Sequence, residues 1–109
     1  MTFVRISEIK PNEVLPGFRG RFVHGTGLTV AYWEIAEGSE LPMHDHPQEM
    51  MINLIEGEME LTVGEETRTV VAGDVVVVPG NVTHGGRALK DCRVIDVWHP
   101  VRDDYQNAT

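Results

Sequence analysis

Residues 50–79 read MMINLIEGEMELTVGEETRTVVAGDVVVVP, a succession of short β-rich runs separated by glycines. Within the run EMELTV (58–63), apolar and polar residues alternate strictly, which is the pattern of a strand with one buried face. The run VVVVP (75–79) is apolar on both faces, so we predict that it lies inside, between two layers. Proline cannot donate to a strand ladder, and Pro79 therefore marks the end of that strand.

The same pattern extends in both directions along the chain. LTVAYWEIA (28–36) and CRVIDVW (92–98) are further predicted strands, and no window keeps a helical apolar period for three turns. We predict hairpin turns at Glu56-Gly57 and at Gly64-Glu65-Glu66, where glycine allows a positive φ. Short strands at this spacing indicate an all-β fold, built as an antiparallel sandwich or barrel.

The length of the chain, 109 residues, fits one domain with a core of its own. We expect residues 1–20 to form an N-terminal arm or edge strand and residues 21–109 to form the barrel domain. Charges interrupt the first ten positions, so no secretion signal is predicted, and no stretch reaches the length of a membrane span. The single cysteine, Cys92, is interpreted as a buried thiol. These features together favour a cytoplasmic protein.

The formal net charge is −8 at pH 7. Nucleic-acid binding is not expected, because it requires a basic stripe on the surface. Binding to anionic membranes is not expected for the same electrostatic reason. An acidic small-molecule substrate is compatible with this charge if a few arginines are concentrated at its site.

Two histidines, His44 and His46, are separated by one residue, so on a strand both side chains point to the same face. A third, His84, follows a hairpin and a whole apolar strand and can fold back beside them. Three neutral imidazoles that converge inside a barrel form a site for zinc, nickel, copper, manganese or iron. We therefore predict that one divalent transition-metal ion binds to His44, His46 and His84.

Two glycine-anchored motifs contain these histidines. GSELPMHDH (38–46), followed by Gly57, resembles the first motif of the cupin superfamily, G-x5-H-x-H-x3,4-E-x6-G. GDVVVVPGNVTH (73–84) resembles the second motif, G-x5-P-x-G-x2-H, with Asn81 in place of its glycine. The resemblance covers nearly the whole chain. It implies a small single-domain jelly-roll β-barrel with a metal at its centre, typically a homodimer.

The glutamate of the first cupin motif is missing from this chain. Counting back from Gly57, Met50 stands at that position, whereas Glu49 falls one residue too early. A thioether is a soft donor that favours copper, and it can equally pack as a wall without touching the metal. We interpret Met50 as a substrate-pocket residue. Gln48 and Glu49 are alternative ligands if the strand bulges.

The stretch DVWHPVRDD (96–104) resembles the D-V-F-T-P-x-R-E-D ending of the KdgF-type pectin-degradation cupins. Those proteins convert unsaturated monouronates into linear ketonized products. The resemblance implies that Asp96 is a catalytic acid or base and that Arg102 is the catalytic anchor of the substrate carboxylate, which suits a bidentate guanidinium. It also implies that Trp98 binds the substrate by stacking on the sugar ring. Trp98 stands where the family usually has Phe.

Other interpretations of these residues are open at the level of sequence. Asp96 and Arg102 also fit an ordinary ion pair at the rim of the barrel. Trp33 is interpreted as core and His24 as a surface residue. The first functional prediction is a metal-dependent lyase or isomerase that acts on an unsaturated uronate or a related sugar acid, which is an anionic small molecule. A metal-dependent dioxygenase and a non-catalytic ligand-binding or sensor cupin are the alternatives.

Overall fold

A computed structural model describes residues 2–108, with side chains described through Tyr105. In chain order, its elements are a 3₁₀ turn (Ile6–Glu8), β1 (Asn12–Leu15), β2 (Phe18–His24), β3 (Thr29–Ile35), β4 (Glu40–His44), β5 (Glu49–Glu56), β6 (Glu58–Val63), β7 (Glu66–Val71), β8 (Val75–Val78), β9 (His84–Ala88), β10 (Cys92–His99) and α1 (Asp103–Ala108). Strands therefore dominate the chain, as the alternating apolar pattern predicts.

The strands form two antiparallel sheets. One sheet has six strands in the order β1-β2-β3-β10-β5-β8, and the other has four in the order β4-β9-β6-β7. Most neighbours within a sheet are distant along the chain, which is typical of a jelly roll. The prediction of an all-β, antiparallel jelly-roll barrel is confirmed.

The core lies between the inner faces of the two sheets, and β10 crosses its middle. β10 pairs with β3 on one side and β5 on the other, so that Asp96 lies opposite both Ala31 and Ile52. Trp98 and Leu54 are among the most deeply buried side chains. Burial of one such side chain stabilises the fold by roughly 1.5–3 kcal/mol. Because β10 alternates its faces, the same strand carries the polar Asp96 into these apolar surroundings.

The turn at Gly57 connects the two sheets. β5 pairs with β8 and β10, whereas β6 pairs with β7 and β9, so the hairpin predicted at Glu56-Gly57 is wrong. The predicted positive φ is present, at 100°. A Cβ atom at Gly57 would lie 2.4 Å from the carbonyl oxygen of Asp91, which also excludes a side chain there. The second predicted hairpin is confirmed, because Val63 pairs with Glu66 across its turn.

β8 is an edge strand, and the prediction that it lies between two layers is wrong. Val78 is buried, but Val75 and Val77 are 56% and 51% exposed. On the neighbouring β5, Met51 and Ile55 are also about half exposed, at 46% and 48%. The valines occupy both faces of β8 because the outer face of the six-stranded sheet is itself apolar.

At the opposite edge of this sheet, β1 pairs with β2. β2 begins at the buried Phe18, so the sheet includes residues on both sides of position 20, the predicted boundary between the N-terminal arm and the barrel domain. None of the helices in the described part of the chain has the length and apolar character that a membrane span requires.

Candidate active site

The three predicted metal ligands converge inside the barrel. His44 is the last residue of β4 and lies opposite His84, the first residue of β9. His46 lies two residues beyond the end of β4, in the connection to β5, rather than on the predicted strand. One ring nitrogen from each histidine lies within 4.8 Å of the corresponding ring nitrogen of the other two. The predicted cluster therefore forms although the strand ends before its second histidine.

Each imidazole is oriented by a backbone carbonyl two residues away along the chain. The Nδ1–O distances are 2.8 Å for His44 and Pro42, 3.0 Å for His46 and Gln48, and 2.9 Å for His84 and Val82. A carbonyl can only accept, so Nδ1 carries the proton in every ring and Nε2 is left with a free lone pair. Histidines that bind metals typically donate their other ring N–H in this way.

The Nε2 atoms of His46 and His84 are buried and have no hydrogen-bond partner within residues 2–108. Burial lowers the pKa of His46 to about 4, with smaller contributions from the positive charge of Arg102 and from His84. Burial also lowers the pKa of His84, against the opposing effect of its hydrogen bond to Val82. Both rings are therefore neutral at pH 7, which is the form that binds a metal.

These donors fit a divalent transition metal, because neutral imidazoles suit zinc, copper, iron and nickel. Met50 is buried and lines the same cavity, as predicted for a pocket residue. Glu49 is exposed, and the Gln48 side chain donates to the carbonyl oxygen of Val101 at 3.1 Å. Gln48 and Glu49, the two alternative ligands, are not among the residues that line the cavity.

One cavity contains every residue predicted for the site. Its lining includes His44, His46, Met50, His84, Asp96, Trp98 and Arg102. Apolar side chains from both sheets, including Ile52, Met59 and Leu61, form much of the remaining wall. A few convergent polar groups in a mainly apolar cavity are typical of a small-molecule site.

Asp96 is 9% exposed and projects into this cavity from β10. Its Oδ2 atom accepts a hydrogen bond of 3.0 Å from Trp33 Nε1, and its Oδ1 atom has no partner among the described residues. Burial raises the pKa of Asp96 to about 7, although the Trp33 hydrogen bond and the charge of Arg102 act in the opposite direction. The carboxyl group can therefore both donate and accept a proton near neutral pH.

Arg102 is 7% exposed and packs against two aromatic rings that also contact each other, with 5.3 Å between the Trp98 and Tyr105 ring centroids. Its guanidinium carbon is 5.0 Å from the ring centroid of Trp98 and 4.3 Å from that of Tyr105. Nε and Nη2 donate to the two carboxylate oxygens of Asp104, at 3.0 and 2.8 Å. Within the described chain, the ion pair of Arg102 is thus with Asp104 and not with Asp96.

Residues 31–98 match the family model described as Cupin domain. The chain belongs to the cupin family. A curated relative, an uncharacterized protein of Streptomyces coelicolor, is 30% identical to this cupin over 81 residues, which cover 73% of this chain and 77% of the relative.

Two solved structures share the fold of this cupin over nearly its whole length. An RmlC-like cupin from Shewanella frigidimarina superposes with a TM-score of 0.91 at 23% identity, covering 96% of each chain. KdgF from a Halomonas species superposes with a TM-score of 0.90 at 28% identity, covering 96% of this chain and 98% of its own. The predicted resemblance to small KdgF-type cupins is confirmed.

Three residues of this cupin have roles at the cavity that the sequence did not reveal. Trp33 was interpreted only as core, yet it donates to Asp96. Asp104 and Tyr105, which both contact the Arg102 guanidinium, follow it by two and three residues, and the available signal was that Asp104 ends the DVWHPVRDD stretch. His24 is half-buried rather than a surface residue, with Nδ1 3.0 Å from Thr29 Oγ1.

Proposed function

We propose that this cupin is a metal-dependent enzyme that acts on an unsaturated uronate or a related sugar acid, by ring opening or tautomerisation. The observation that carries the proposal is that one cavity combines three histidine donors, a protonatable carboxyl group and a buried guanidinium. The likeness to Halomonas KdgF, whose chain is covered almost completely, supports the same activity class.

His44, His46 and His84 would hold one divalent ion of nickel, zinc, iron, manganese or copper. When bound, such an ion supplies a Lewis acid that polarises a substrate oxygen. Met50 contributes an apolar wall beside these histidines, so it restricts where a substrate can lie.

Arg102 binds the carboxylate of the substrate in this proposal. Its guanidinium is buried against Trp98 and Tyr105 and is therefore fixed in orientation. In the structure, the carboxylate of Asp104 accepts from Nε and Nη2 of Arg102, and the side chain of Asp104 is 60% exposed. A substrate carboxylate would displace Asp104 and accept the same two hydrogen bonds, so the buried guanidinium would stay paired while the carboxylate of Asp104 turned into solvent.

Asp96 transfers the proton that ring opening or tautomerisation requires. A pKa of about 7 leaves both protonation states populated at neutral pH, which is the condition for efficient acid–base catalysis. The hydrogen bond from Trp33 to Oδ2 fixes the carboxyl group and leaves Oδ1, which has no partner among the described residues, free to exchange a proton with the substrate. Trp98 lines the cavity wall beside Arg102, so an aromatic side chain lies next to the bound carboxylate.

The decisive assay follows the ultraviolet absorbance of the double bond of an unsaturated uronate after addition of the metal-loaded protein. The absorbance should disappear with the wild type, and Asp96→Asn should lower the rate at least about 100-fold at unchanged metal content. Glu65→Gln is the matched control for loss of a carboxylate, since Glu65 is exposed and lies outside the cavity lining. Full activity of Asp96→Asn would remove Asp96 from the reaction.

A metal-dependent dioxygenase is the second candidate. Met50 at the usual acid position leaves three neutral nitrogen donors, and the cavity walls are mainly apolar, which suits an apolar co-substrate. Oxygen consumption with an iron-loaded sample, without loss of uronate absorbance, would favour this function. A purified protein that carries no metal and gains no thermal stability from added divalent ions would instead favour a non-catalytic ligand-binding or sensor cupin.

We also propose that two copies associate through the outer face of the six-stranded sheet. The centre of this face is apolar except for Asn53, and its apolar residues are Val30, Tyr32, Met51, Ile55, Val75, Val77, Ile95 and Val97. The outward residues of the other sheet are mostly polar, among them Glu60, Thr62, Thr67 and Thr69. Large exposed apolar faces commonly serve as interaction surfaces, which supports this association.

A cytoplasmic location is likewise proposed, from the composition and the buried thiol of Cys92.

A further inference from the structure

Trp98 lines the cavity, and its indole N–H is a buried donor without a partner among the described residues. Trp98 is only 2% exposed, and its Nε1 atom has no hydrogen-bond partner among the described residues. The other tryptophan, Trp33, donates its N–H to Asp96. Buried donors in proteins are nearly always paired, so a group that enters the cavity is expected to accept from Trp98.

The position of Trp98 beside Arg102 limits what that acceptor can be. The guanidinium carbon of Arg102 lies 5.0 Å from the ring centroid of Trp98, so a carboxylate held by Arg102 is adjacent to the indole. Asp96 projects from β10 on the same face as Trp98, two residues away, and its unpartnered Oδ1 is an acceptor or, when protonated, a donor. The cavity thus offers the indole donor next to the carboxylate-binding group.

We propose that Trp98 Nε1 donates to an oxygen attached to the carbon that bears the substrate carboxylate. This residue would make the site specific for 2-oxygenated acids, in which that oxygen is a hydroxyl, a ring ether or a ketone. In an unsaturated uronate it is the ring oxygen. The inference rests on the proposed function in one respect, that Arg102 binds the carboxylate. Phe, which the KdgF pattern has at this position, offers no N–H, so the discrimination belongs to this chain.

A pair of matched acids tests the proposal. Tetrahydropyran-2-carboxylate and cyclohexanecarboxylate have the same charge and nearly the same shape, and differ in one ring oxygen. Calorimetric titration should show the wild type binding the ether acid about tenfold more tightly, because the carbocycle leaves the indole donor unpaired. Trp98→Phe should reduce this preference to about twofold or less. Any contribution from chelation of a bound metal persists in Trp98→Phe, so comparing the two proteins isolates the indole.

A second measurement needs no substitution at Trp98. Because the chain has two tryptophans, the ¹H–¹⁵N spectrum should contain two indole resonances, which Trp33→Phe assigns. The Trp98 resonance should shift downfield on addition of the ether acid and move much less with the carbocycle. Equal affinities for the two acids, a preference that persists in Trp98→Phe, or no binding of either acid would each overturn the inference.

These outcomes are distinguishable from failure of the proposed function. Selective binding of the ether acid without loss of uronate absorbance would retain Trp98 as a specificity residue of a binding site and reject the uronate activity. Turnover of the uronate without selective binding would retain the activity and reject the role of Trp98.

Discussion

The buried carboxyl group of Asp96 links the catalytic proposal to a measurable property of the fold. In the folded protein its pKa is raised to about 7 from an ordinary value of 3.8, chiefly because burial disfavours the charged form. Asp96→Asn replaces the group with a neutral amide that can still accept the hydrogen bond from Trp33. The substitution therefore removes the titration and retains most of the packing.

The sign and size of the effect follow from linkage. Between pH 3.8 and about 7, the folded protein retains the Asp96 proton and the unfolded chain has lost it, so the folded state binds more protons. Stability from this group is therefore fully present below pH 3.8 and falls as the pH rises to 7. A difference of about 3 pKa units corresponds to roughly 4 kcal/mol, and solvent relaxation makes a loss of about 2–4 kcal/mol the realistic expectation.

The assay is urea denaturation of metal-free wild type and Asp96→Asn at several values between pH 4.5 and 8.5. The free energy of unfolding of the variant should rise relative to that of the wild type by about 2–4 kcal/mol over this range. His46 and His84 titrate in both proteins, and Asp96 is not among the causes of their pKa shifts, so their contributions largely cancel.

A difference in unfolding free energy that stays constant with pH reflects the packing of the amide and does not bear on the pKa of Asp96. Only the change of this difference with pH tests whether that pKa is raised. If the difference in unfolding free energy does not change between pH 4.5 and 8.5, Asp96 is not a desolvated carboxyl group. Glu65→Gln, in an exposed turn, is the control for loss of a carboxylate and should show little slope.

Three other perturbations have defined outcomes. His84→Ala should lower the metal content per chain, measured by elemental analysis, at least about tenfold, whereas His99→Ala should leave it unchanged. Gly57→Ala should lower the free energy of unfolding in urea by at least about 1–3 kcal/mol, because a φ of 100° and a Cβ 2.4 Å from the Asp91 carbonyl oxygen both oppose alanine. Val77→Glu should convert a dimer into a monomer in light scattering, and Thr69→Glu on the polar sheet should not; a monomeric wild type would reject the association.

The sequence predicted most of the strands and the convergence of His44, His46 and His84, since these depend on local periodicity and on short spacings. Asp96 and Trp98 share a face by strand parity, and both line the cavity. The pairing of Trp33 with Asp96 was not predictable, because it joins residues 63 positions apart whose contact depends on sheet order. The turn at Gly57 was located correctly but assigned to a hairpin, since a positive φ does not specify which sheet the next strand joins.

The outer face of β8 shows a second limit. A run of four valines does not distinguish burial within one chain from burial against another molecule, because both require an apolar surface. The exposure of Val75 and Val77 was therefore not predictable from the sequence alone.

The backbone hydrogen bonds to His44, His46 and His84 have a consequence for how this site can diversify. Every amino acid has a carbonyl group, so substitutions at positions 42, 48 and 82 can leave the acceptors that orient the three rings in place. Substitutions of the side chains at these three positions therefore need not change the orientation of the histidine rings. Position 50 is different, because there the side chain itself lines the cavity. A substitution at this position therefore changes the wall beside the three histidines while leaving the carbonyl groups that orient them in place.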